Sequence, residues 1–348
     1  MPIHVGILGG GGISDTHARA AREIEGVEIA AVAGENPAKV KELADRYHAA
    51  AYEGTAELLR HRPLELVLIG SPPGRHAEQG IAAARQGLHV MVEKPIDVTL
   101  ERADELIAAC EDAGVKLGVF FQGRFAPDLE RLKRAVDDGA LGRPFLAAAR
   151  VKWWRPPEYY SHSRWRGTLA LEGGGALLSQ GIHTLDLLLW LLGDVSRVWA
   201  RAATALHRIE VEDTLVATLE FESGALATLE ASTAAFPGYP RVLELTGSEG
   251  TVVIEQDRLL RVDLRRPWPG LLSSGEGSKD ESASSPLIGD VRGHRAVLED
   301  FLRAIREGGE PRCSGREGRR SQAVVDALYR SARGDVVNLP EGGGRELA

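Results

Sequence analysis

The chain is predicted to be an α/β protein of two domains: a doubly wound parallel sheet first, then a domain built on an antiparallel sheet. Three observations predict this. Apolar runs of strand length alternate with helical segments over roughly the first 120 residues, which is how a parallel sheet covered on both faces reads. Four glycines, Gly9 to Gly12, separate the first apolar run from the first helical one. Beyond about residue 195, alternating segments follow one another with glycine-centred turns and no helix between them, the pattern of an antiparallel sheet with one solvated or interface face. At 348 residues the chain is also too long for one ordinary core.

The elements follow in order. Residues 3–8 form the first strand, 9–12 the turn and 13–24 a helix. Residues 27–33 form a strand and 37–47 a helix, with Asn36 as its cap and Pro37 at the first position, where the missing N–H has no helical partner to lose. A strand at 64–69, a helix at 74–86, a strand at 88–92, a helix at 100–112 and a strand at 115–121 complete the alternation. A connecting helix is expected over 126–138 and a turn at 139–142, and 145–153 opens a new region. A long helix is expected at 175–192, then strands at 195–205, 213–221, 225–232, 240–247, 250–255 and 258–264. Residues 267–290, rich in Ser, Gly and Pro, are expected to form a mobile loop. Helices at 290–307 and 315–333 close the chain, and 341–348 is expected to fray. The domains are therefore placed at 1–123 and 124–340.

Composition narrows the function. The chain is 43% hydrophobic and 26% charged, with a net charge of -8 and a pI near 5.8. That balance argues against nucleic acid as a partner, which needs a basic face. No apolar stretch reaches the ~18 residues of a membrane span; the run Leu185 to Leu192 is stopped by Gly193-Asp194. The first residues carry no basic segment and no cleavage site, and Cys110 and Cys313 lie too far apart in sequence to imply a disulfide framework or a zinc pair. A cytoplasmic setting and no metal are expected.

Two local patterns carry chemistry. Gly9-Gly10-Gly11-Gly12-Ile13-Ser14 fits G-x-G-x-x-[G/A] with serine in the last small slot. Gly9 permits the tight turn, Gly11 lets the backbone approach a pyrophosphate, and the helix start at Gly12 and Ile13 supplies amide donors and positive dipole. A glycine run alone is a weak signal; after a strand and before a helix it is a strong one. The acid for the adenosine ribose belongs at the end of the second strand, where Gly34 fills the expected slot and Glu35 stands next to it. Glu35 either accepts from a ribose 2′-hydroxyl or is a solvated turn residue. No arginine sits nearby in sequence to hold a 2′-phosphate, although Lys39 and Lys41 follow, so NAD is favoured over NADP. The second pattern is Glu93-Lys94-Pro95 directly after the strand 88–92. The carboxyl ends of the strands are where open α/β sheets bind ligands, and Pro95 biases Lys94 toward extended backbone. Together the two patterns aim a lysine at a nicotinamide ring.

The chain resembles the glucose-fructose oxidoreductase / inositol dehydrogenase / rhizopine catabolism (Gfo/Idh/MocA) family along essentially its whole length. The matching motifs are the glycine turn followed by His17, Ser71-Pro72-Pro73-Gly74-Arg75-His76, Glu93-Lys94-Pro95, Trp165-Arg166-Gly167, Gly173-Gly174-Gly175 and Gln180-Gly181-Ile182-His183-Thr184-Leu185-Asp186. The resemblance implies a Rossmann domain joined to a C-terminal α/β domain with a large, mostly antiparallel sheet, through which members form dimers or tetramers. It implies an NAD(P)-dependent oxidoreductase of sugars, sugar nucleotides or polyols. It makes Lys94 the catalytic lysine and sets His183 across the cleft beside the reacting carbon. Ser71, Pro72, His76 and Glu93 are implied around the cofactor, and Gln122 near its nicotinamide end. Arg124, Tyr159, Trp165, Arg166 and Gln180 are the expected substrate residues, beside His183. One departure bears on the substrate: inositol-dehydrogenase-like members carry an aspartate four residues before the histidine, and this chain has Ser179 there.

Oxidising a secondary alcohol requires a base for the hydroxyl proton while hydride leaves the same carbon. A free lysine, near 10.4, is too basic; burial and a cationic ring nearby both lower it. Either Lys94 or His183 is the proximal base, the other polarising the same oxygen. Ser179, Gln180, His183 and Asp186 fall at helical spacings of three and four and are expected on one face, where Asp186 either orients the imidazole or caps a local network. Trp153, Trp154, Arg155, Tyr159, Tyr160, Trp165 and Arg166 form an aromatic and basic cluster suited to a sugar face or a phosphate, or to an interdomain packing seam. His17 and His76 are expected to line the cofactor cleft. Two other functions compete: an NAD-dependent glycoside hydrolase working by transient oxidation, and a non-catalytic dinucleotide sensor.

Overall fold

The structure, a computed structural model, describes residues 2–273 and 290–342. The loop expected at 267–290 and the tail expected at 341–348 therefore fall largely outside the described residues.

The alternation in the first third builds one parallel sheet. Its elements are β1 (Ile3–Leu8), α1 (Gly12–Arg22), β2 (Val27–Ala33), α2 (Pro37–Tyr47), β3 (Ala50–Tyr52), α3 (Thr55–Leu58), β4 (Leu66–Ile69), α4 (His76–Ala84), β5 (His89–Val92), α5 (Leu100–Asp112) and β6 (Leu117–Val119). The six strands lie in the order β3-β2-β1-β4-β5-β6, so the winding reverses between β1 and β4, the kind of switch point where such sheets bind ligands. Val5, Ile7, Leu66 to Ile69 and Val90 to Val92 are buried, as continuous apolar runs in a sheet covered on both faces should be. Asn36 caps α2 by accepting from the Lys39 amide at 3.1 Å, and Thr99 caps α5. The short elements β3 and α3 are not expected from sequence; three or four residues carry too little periodicity to read.

The later part carries α6 (Pro127–Asp137), β7 (Pro144–Lys152), α7 (Pro157–Ser161), a π-helical turn at Ala176–Gly181, and α8 (Ile182–Leu192). Then come β8 (Val195–Ala203), β9 (Thr214–Phe221), β10 (Leu226–Ser232), β11 (Val242–Gly247), β12 (Gly250–Glu255), β13 (Arg258–Leu264), α9 (Arg292–Glu307), α10 (Gly315–Ala332) and β14 (Val337–Asn338). The strands form one sheet in the order β13-β12-β11-β7-β10-β9-β8-β14. It is antiparallel except where β10 runs parallel to β7, from Leu226 opposite Leu146 to Ser232 opposite Lys152. One face is apolar and packed: Ala147, Ala149, Val151, Leu215, Leu219 and Leu229 are buried, and α8 lies against β7. The other leaves Leu146, Trp199, Val216 and Leu226 exposed.

The described chain divides into two compact units, one running to Gln122 and resuming after the undescribed segment as far as Arg319, the other starting at Gly123 and resuming at Arg320. The expected second domain, 124–340, differs from this grouping in the stretch up to Arg319 that follows the undescribed segment. Helix α9 belongs with the first unit because its apolar stripe, Val297, Leu298, Phe301 and Leu302, is buried there. The Phe301 ring fills the space beside Gly118 of β6, where an added Cβ would meet it at 2.7 Å. Amphipathic periodicity shows that a helix has a buried face; it does not say which sheet covers it. Among the described residues no helix is long and apolar enough to cross a membrane.

Candidate active site

In the first unit, β1 delivers the glycine turn. Gly9 has φ 132°, and a Cβ there would lie 2.8 Å from the Gly70 carbonyl oxygen, so only glycine fits. Helix α1 begins at Gly12 with Gly11 as its N-cap and no side chain on its first amides. Gly11 and Gly12 are exposed, and added Cβ atoms there would meet nothing within 4 Å. The protein's own packing does not require these two glycines, but an anion approaching the amides does. Gly34 backs the turn, its Cβ position 3.1 Å from the Gly9 carbonyl carbon, which leaves Glu35 as the acid at the end of β2. Here the structure corrects the sequence reading: the turn Pro73–Arg75 after β4 brings Arg75 Nη2 to 3.9 Å from Glu35 Oε1, an arginine forty residues away in sequence.

At the end of β5, the Glu93 amide donates to the Ile69 carbonyl at 2.9 Å, extending the sheet to the residue before Lys94. Glu93 Oε1 meets His17 Nε2 at 2.9 Å and His294 Nε2 at 3.9 Å. Burial works to raise the Glu93 pKa, but the hydrogen bond and charge of His17, with His294 and Lys94, outweigh it and hold the carboxyl at about 2. Ser71 donates to Gln79 Oε1 at 2.6 Å, and Pro72 and Ile13 remain half-buried. His76 corrects its expected role. It is fully buried, with Nδ1 2.9 Å from the Pro95 carbonyl and Nε2 2.8 Å from the Ser71 carbonyl. It joins the two loops instead of facing a ligand, and burial lowers its pKa. Gln122 carries a buried Oε1 with no hydrogen-bond partner among the described residues, an acceptor suited to an incoming carboxamide. The uncapped α1 amides, Glu35 and this orphaned oxygen fit a nicotinamide dinucleotide.

In the second unit, the residues expected on one helical face do not lie on one regular α-helix. Ala176–Gly181 winds as a π-helix before α8 begins, and the wider turn carries the spacing out of phase. Ser179 donates to Glu172 Oε1 at 2.6 Å. Gln180 donates to the Tyr159 hydroxyl at 3.4 Å and accepts from Arg155 Nη2 at 3.4 Å. Asp186 takes Arg124 Nε at 2.8 Å, Arg124 Nη2 at 2.6 Å and Ser321 Oγ at 2.8 Å. Arg124 is thus corrected from a substrate residue to an interior one, with 1% of its surface exposed, and Asp186 belongs to its network. His183, the second residue of α8, keeps partial exposure where Ile182 and Thr184 to Leu189 are buried. Tyr159, Trp165 and Arg166 do come together: the Arg166 guanidinium lies 4.1 Å over the Tyr159 ring and 5.1 Å over the Trp165 ring.

Sequence reasoning missed His294, Glu212 and Tyr329. Glu212 accepts from the Gly175 and Leu177 amides at 2.9 Å each and from the Tyr329 hydroxyl at 2.9 Å, so it anchors the start of the π-helical turn. No local motif marks these residues; their partners are remote in sequence.

A nicotinamide-binding parallel sheet with a lysine at a strand tip in one unit, and a mostly antiparallel sheet in the other, define a two-domain dehydrogenase class. The chain belongs to the Gfo/Idh/MocA oxidoreductases: residues 3–121 match the oxidoreductase family with the NAD-binding Rossmann fold, and residues 129–253 match the GFO/IDH/MocA C-terminal domain. It is 29% identical to the D-apiose dehydrogenase of Paraburkholderia graminis, over 96% of this chain and 88% of that protein. It is 30% identical to a D-xylose 1-dehydrogenase (NADP(+)) of Haloferax volcanii, over 96% and 99%. The WlbA dehydrogenase of Bordetella pertussis, solved with NADH and UDP-GlcNAcA, superposes with a TM-score of 0.89 at 31% identity, covering 97% of this chain and 98% of that one.

Proposed function

We propose that the protein is an NAD-dependent dehydrogenase or reductase acting on a secondary alcohol or ketone of a sugar, sugar nucleotide or polyol. The observation that carries this reading is the pairing, within one parallel sheet, of uncapped amides after β1 with Lys94 at the tip of β5. Gly9, Gly11, Gly12 and Ile13 hold the pyrophosphate, Glu35 the adenosine ribose, and Ser71, Pro72, Glu93 and Gln122 the nicotinamide half. Bound there, the cofactor supplies a ring that accepts or returns hydride. Lys94 takes the hydroxyl proton in oxidation and donates it in reduction, and His183 is the second proton-handling group. Tyr159, Trp165, Arg166 and Gln180 hold the sugar.

The first unit is the cofactor domain in this reading, and the second is the substrate and oligomerisation domain. Homodimers or homotetramers form through the outer face of the second sheet, a role supported by exposed Leu146, Trp199, Val216 and Leu226. A cytoplasmic location is supported by two buried free thiols, Cys110 and Cys313.

The test follows NADH fluorescence across a panel of polyols, sugars and sugar nucleotides. NADH accumulation with at least one member is expected, and Lys94→Ala lowers turnover ~10²–10⁴-fold while NAD affinity stays nearly unchanged. Near-normal turnover in that variant rejects the assigned role. Glycoside cleavage without net NADH replaces the reading with a hydrolytic one.

A further inference from the structure

We infer that His17 is a positioning residue for Lys94, acting through Glu93: the imidazole holds the Glu93 carboxylate against α1 and so limits its pull on the lysine amine. The inference deepens the oxidoreductase reading and rests on it for the proton-handling role of Lys94.

Glu93 immediately precedes Lys94, and its carboxylate faces two ways. Oε1 meets His17 Nε2 at 2.9 Å and His294 Nε2 at 3.9 Å, while Oε2 accepts from the Lys94 amide at 3.3 Å. A carboxylate only accepts, so His17 Nε2 is the donor. The His17 ring is wholly buried and stacks on Phe120 at 4.3 Å and 16°. Its other nitrogen, Nδ1, is buried with no hydrogen-bond partner among the described residues. An orphaned buried nitrogen costs stability, and a phenylalanine stacked on Phe120 would fill the place without one. Packing alone therefore does not account for a histidine here, whereas the bond to Glu93 does.

The charged groups around this carboxylate are His17 from α1, His294 from α9, Lys94 after β5 and His76 from the start of α4. Arg19 of α1 acts on His294, and Asp97 joins Glu93 in acting on His76. Burial opposes the charge on Glu93; among the groups that favour it, His17 comes first, ahead of His294 and Lys94. An amine next to a buried carboxylate is held in its ammonium form, which cannot take a proton from a hydroxyl. The His17 N–H sets positive charge directly against Glu93 and lowers the negative potential that reaches Lys94. It does so from α1, five residues after Gly12, whose helix start carries the uncapped amides of the proposed pyrophosphate site. The cofactor turn and the lysine thus share one mount.

The pH at which Lys94 becomes reactive tests the inference without a substrate. The full chain is trace-labelled with acetic anhydride from pH 6 to 11 (roughly the span in which a lysine amine titrates), and the Lys94 peptide is quantified by mass spectrometry with exposed Lys41 as internal standard. Glu93→Gln, which removes the charge and keeps the shape, is expected to move the Lys94 midpoint down by about one pH unit. His17→Phe is expected to move it the opposite way, up by about half a unit, because the carboxylate then acts on the amine unscreened. His17→Gln keeps a donor and restores part of the difference. A Lys94 midpoint that ignores either Glu93→Gln or His17→Phe, or that moves the same way in both, overturns the inference. If Glu93→Gln does not fold, the two His17 variants decide: an upward shift in His17→Phe that His17→Gln reduces sustains it, and any other result overturns it. NADH titration of the same samples reports separately: failure to bind NADH sinks the oxidoreductase reading, whereas unmoved midpoints with NADH binding intact sink only this inference.

Discussion

His17 Nε2 lies 2.9 Å from Glu93 Oε1, tying the helix after the glycine turn to the residue before Lys94. The His17 ring stacks on Phe120 at 4.3 Å, and His294 approaches from α9. This buried group makes the first unit sensitive to acid. Glu93, held at about 2, contributes stability that is full above its ordinary carboxylate range and is lost as pH falls toward 2. Burial lowers His294 to about 4. The unfolded chain then takes that proton first, and stability falls as pH drops from about 6.5 to 4. The thermal midpoint should therefore fall between pH 7 and 4, and His294→Gln should flatten the upper part of that fall. A midpoint independent of pH across this range contradicts the assignment.

With Glu35 at the adenosine ribose, as proposed, Glu35 and Arg75 would set a cofactor preference that one substitution should move. Glu35 repels a 2′-phosphate, while Arg75, 3.9 Å away, is the cation such a phosphate needs. Glu35→Ser should shift relative affinity toward NADPH by about tenfold or more, the scale of a charge-assisted hydrogen bond gained and a repulsion removed. Adding Arg75→Ala should cancel the gain. Fluorescence titrations with both reduced cofactors measure it, and an unchanged preference in Glu35→Ser excludes the pair from the ribose site.

The features legible in the sequence are those whose causes are local. Gly9 reads directly because a left-handed turn between a strand and a helix admits little else, and the alternation up to β6 reads because each strand is apolar on both faces. Lys94 reads because a proline follows it at a strand end. The arrangement around His183 does not read, because spacings of three and four presume 3.6 residues per turn and Ala176–Gly181 winds wider. Arg124 looks like a substrate residue by position, yet its partner Asp186 is 62 residues away. His294 and Arg75 likewise gain their meaning only when distant segments meet.

The Arg124–Asp186 pair is buried on both sides, with side-chain exposures of 2% and 1%. Removing one partner leaves the other charge stranded, which costs ~3–5 kcal/mol. Asp186→Ala should lower the thermal midpoint sharply, and Ser321→Ala, which removes a single donor, should cost only ~1 kcal/mol. Replacing both charges, Arg124→Met with Asp186→Leu, should recover much of the loss, because the stranded charge is gone. A double variant as unstable as Asp186→Ala would show that the pair contributes through shape and not through charge.

The start of the π-helical turn is held by Glu212, and two substitutions of different severity should report on it. Tyr329→Phe removes the hydroxyl that donates to Glu212 and accepts the Leu178 amide at 3.2 Å. Burial leads the causes raising the Glu212 pKa, so losing that donor raises it further. The expected loss is ~1–2 kcal/mol, read as a modest drop in midpoint that grows as pH rises and the carboxylate becomes charged. Gly175→Ala is far harsher, since its Cβ would overlap the backbone carbonyl of Glu212, and backbone cannot swing aside as a side-chain end does. The turn must then move, and with it Gln180 and His183, which follow on the same continuous backbone. Gly175→Ala should therefore lose turnover well beyond any loss of NADH affinity, while Tyr329→Phe keeps most of its turnover at neutral pH. If Gly175→Ala retains full turnover, the π-helical turn does not position His183.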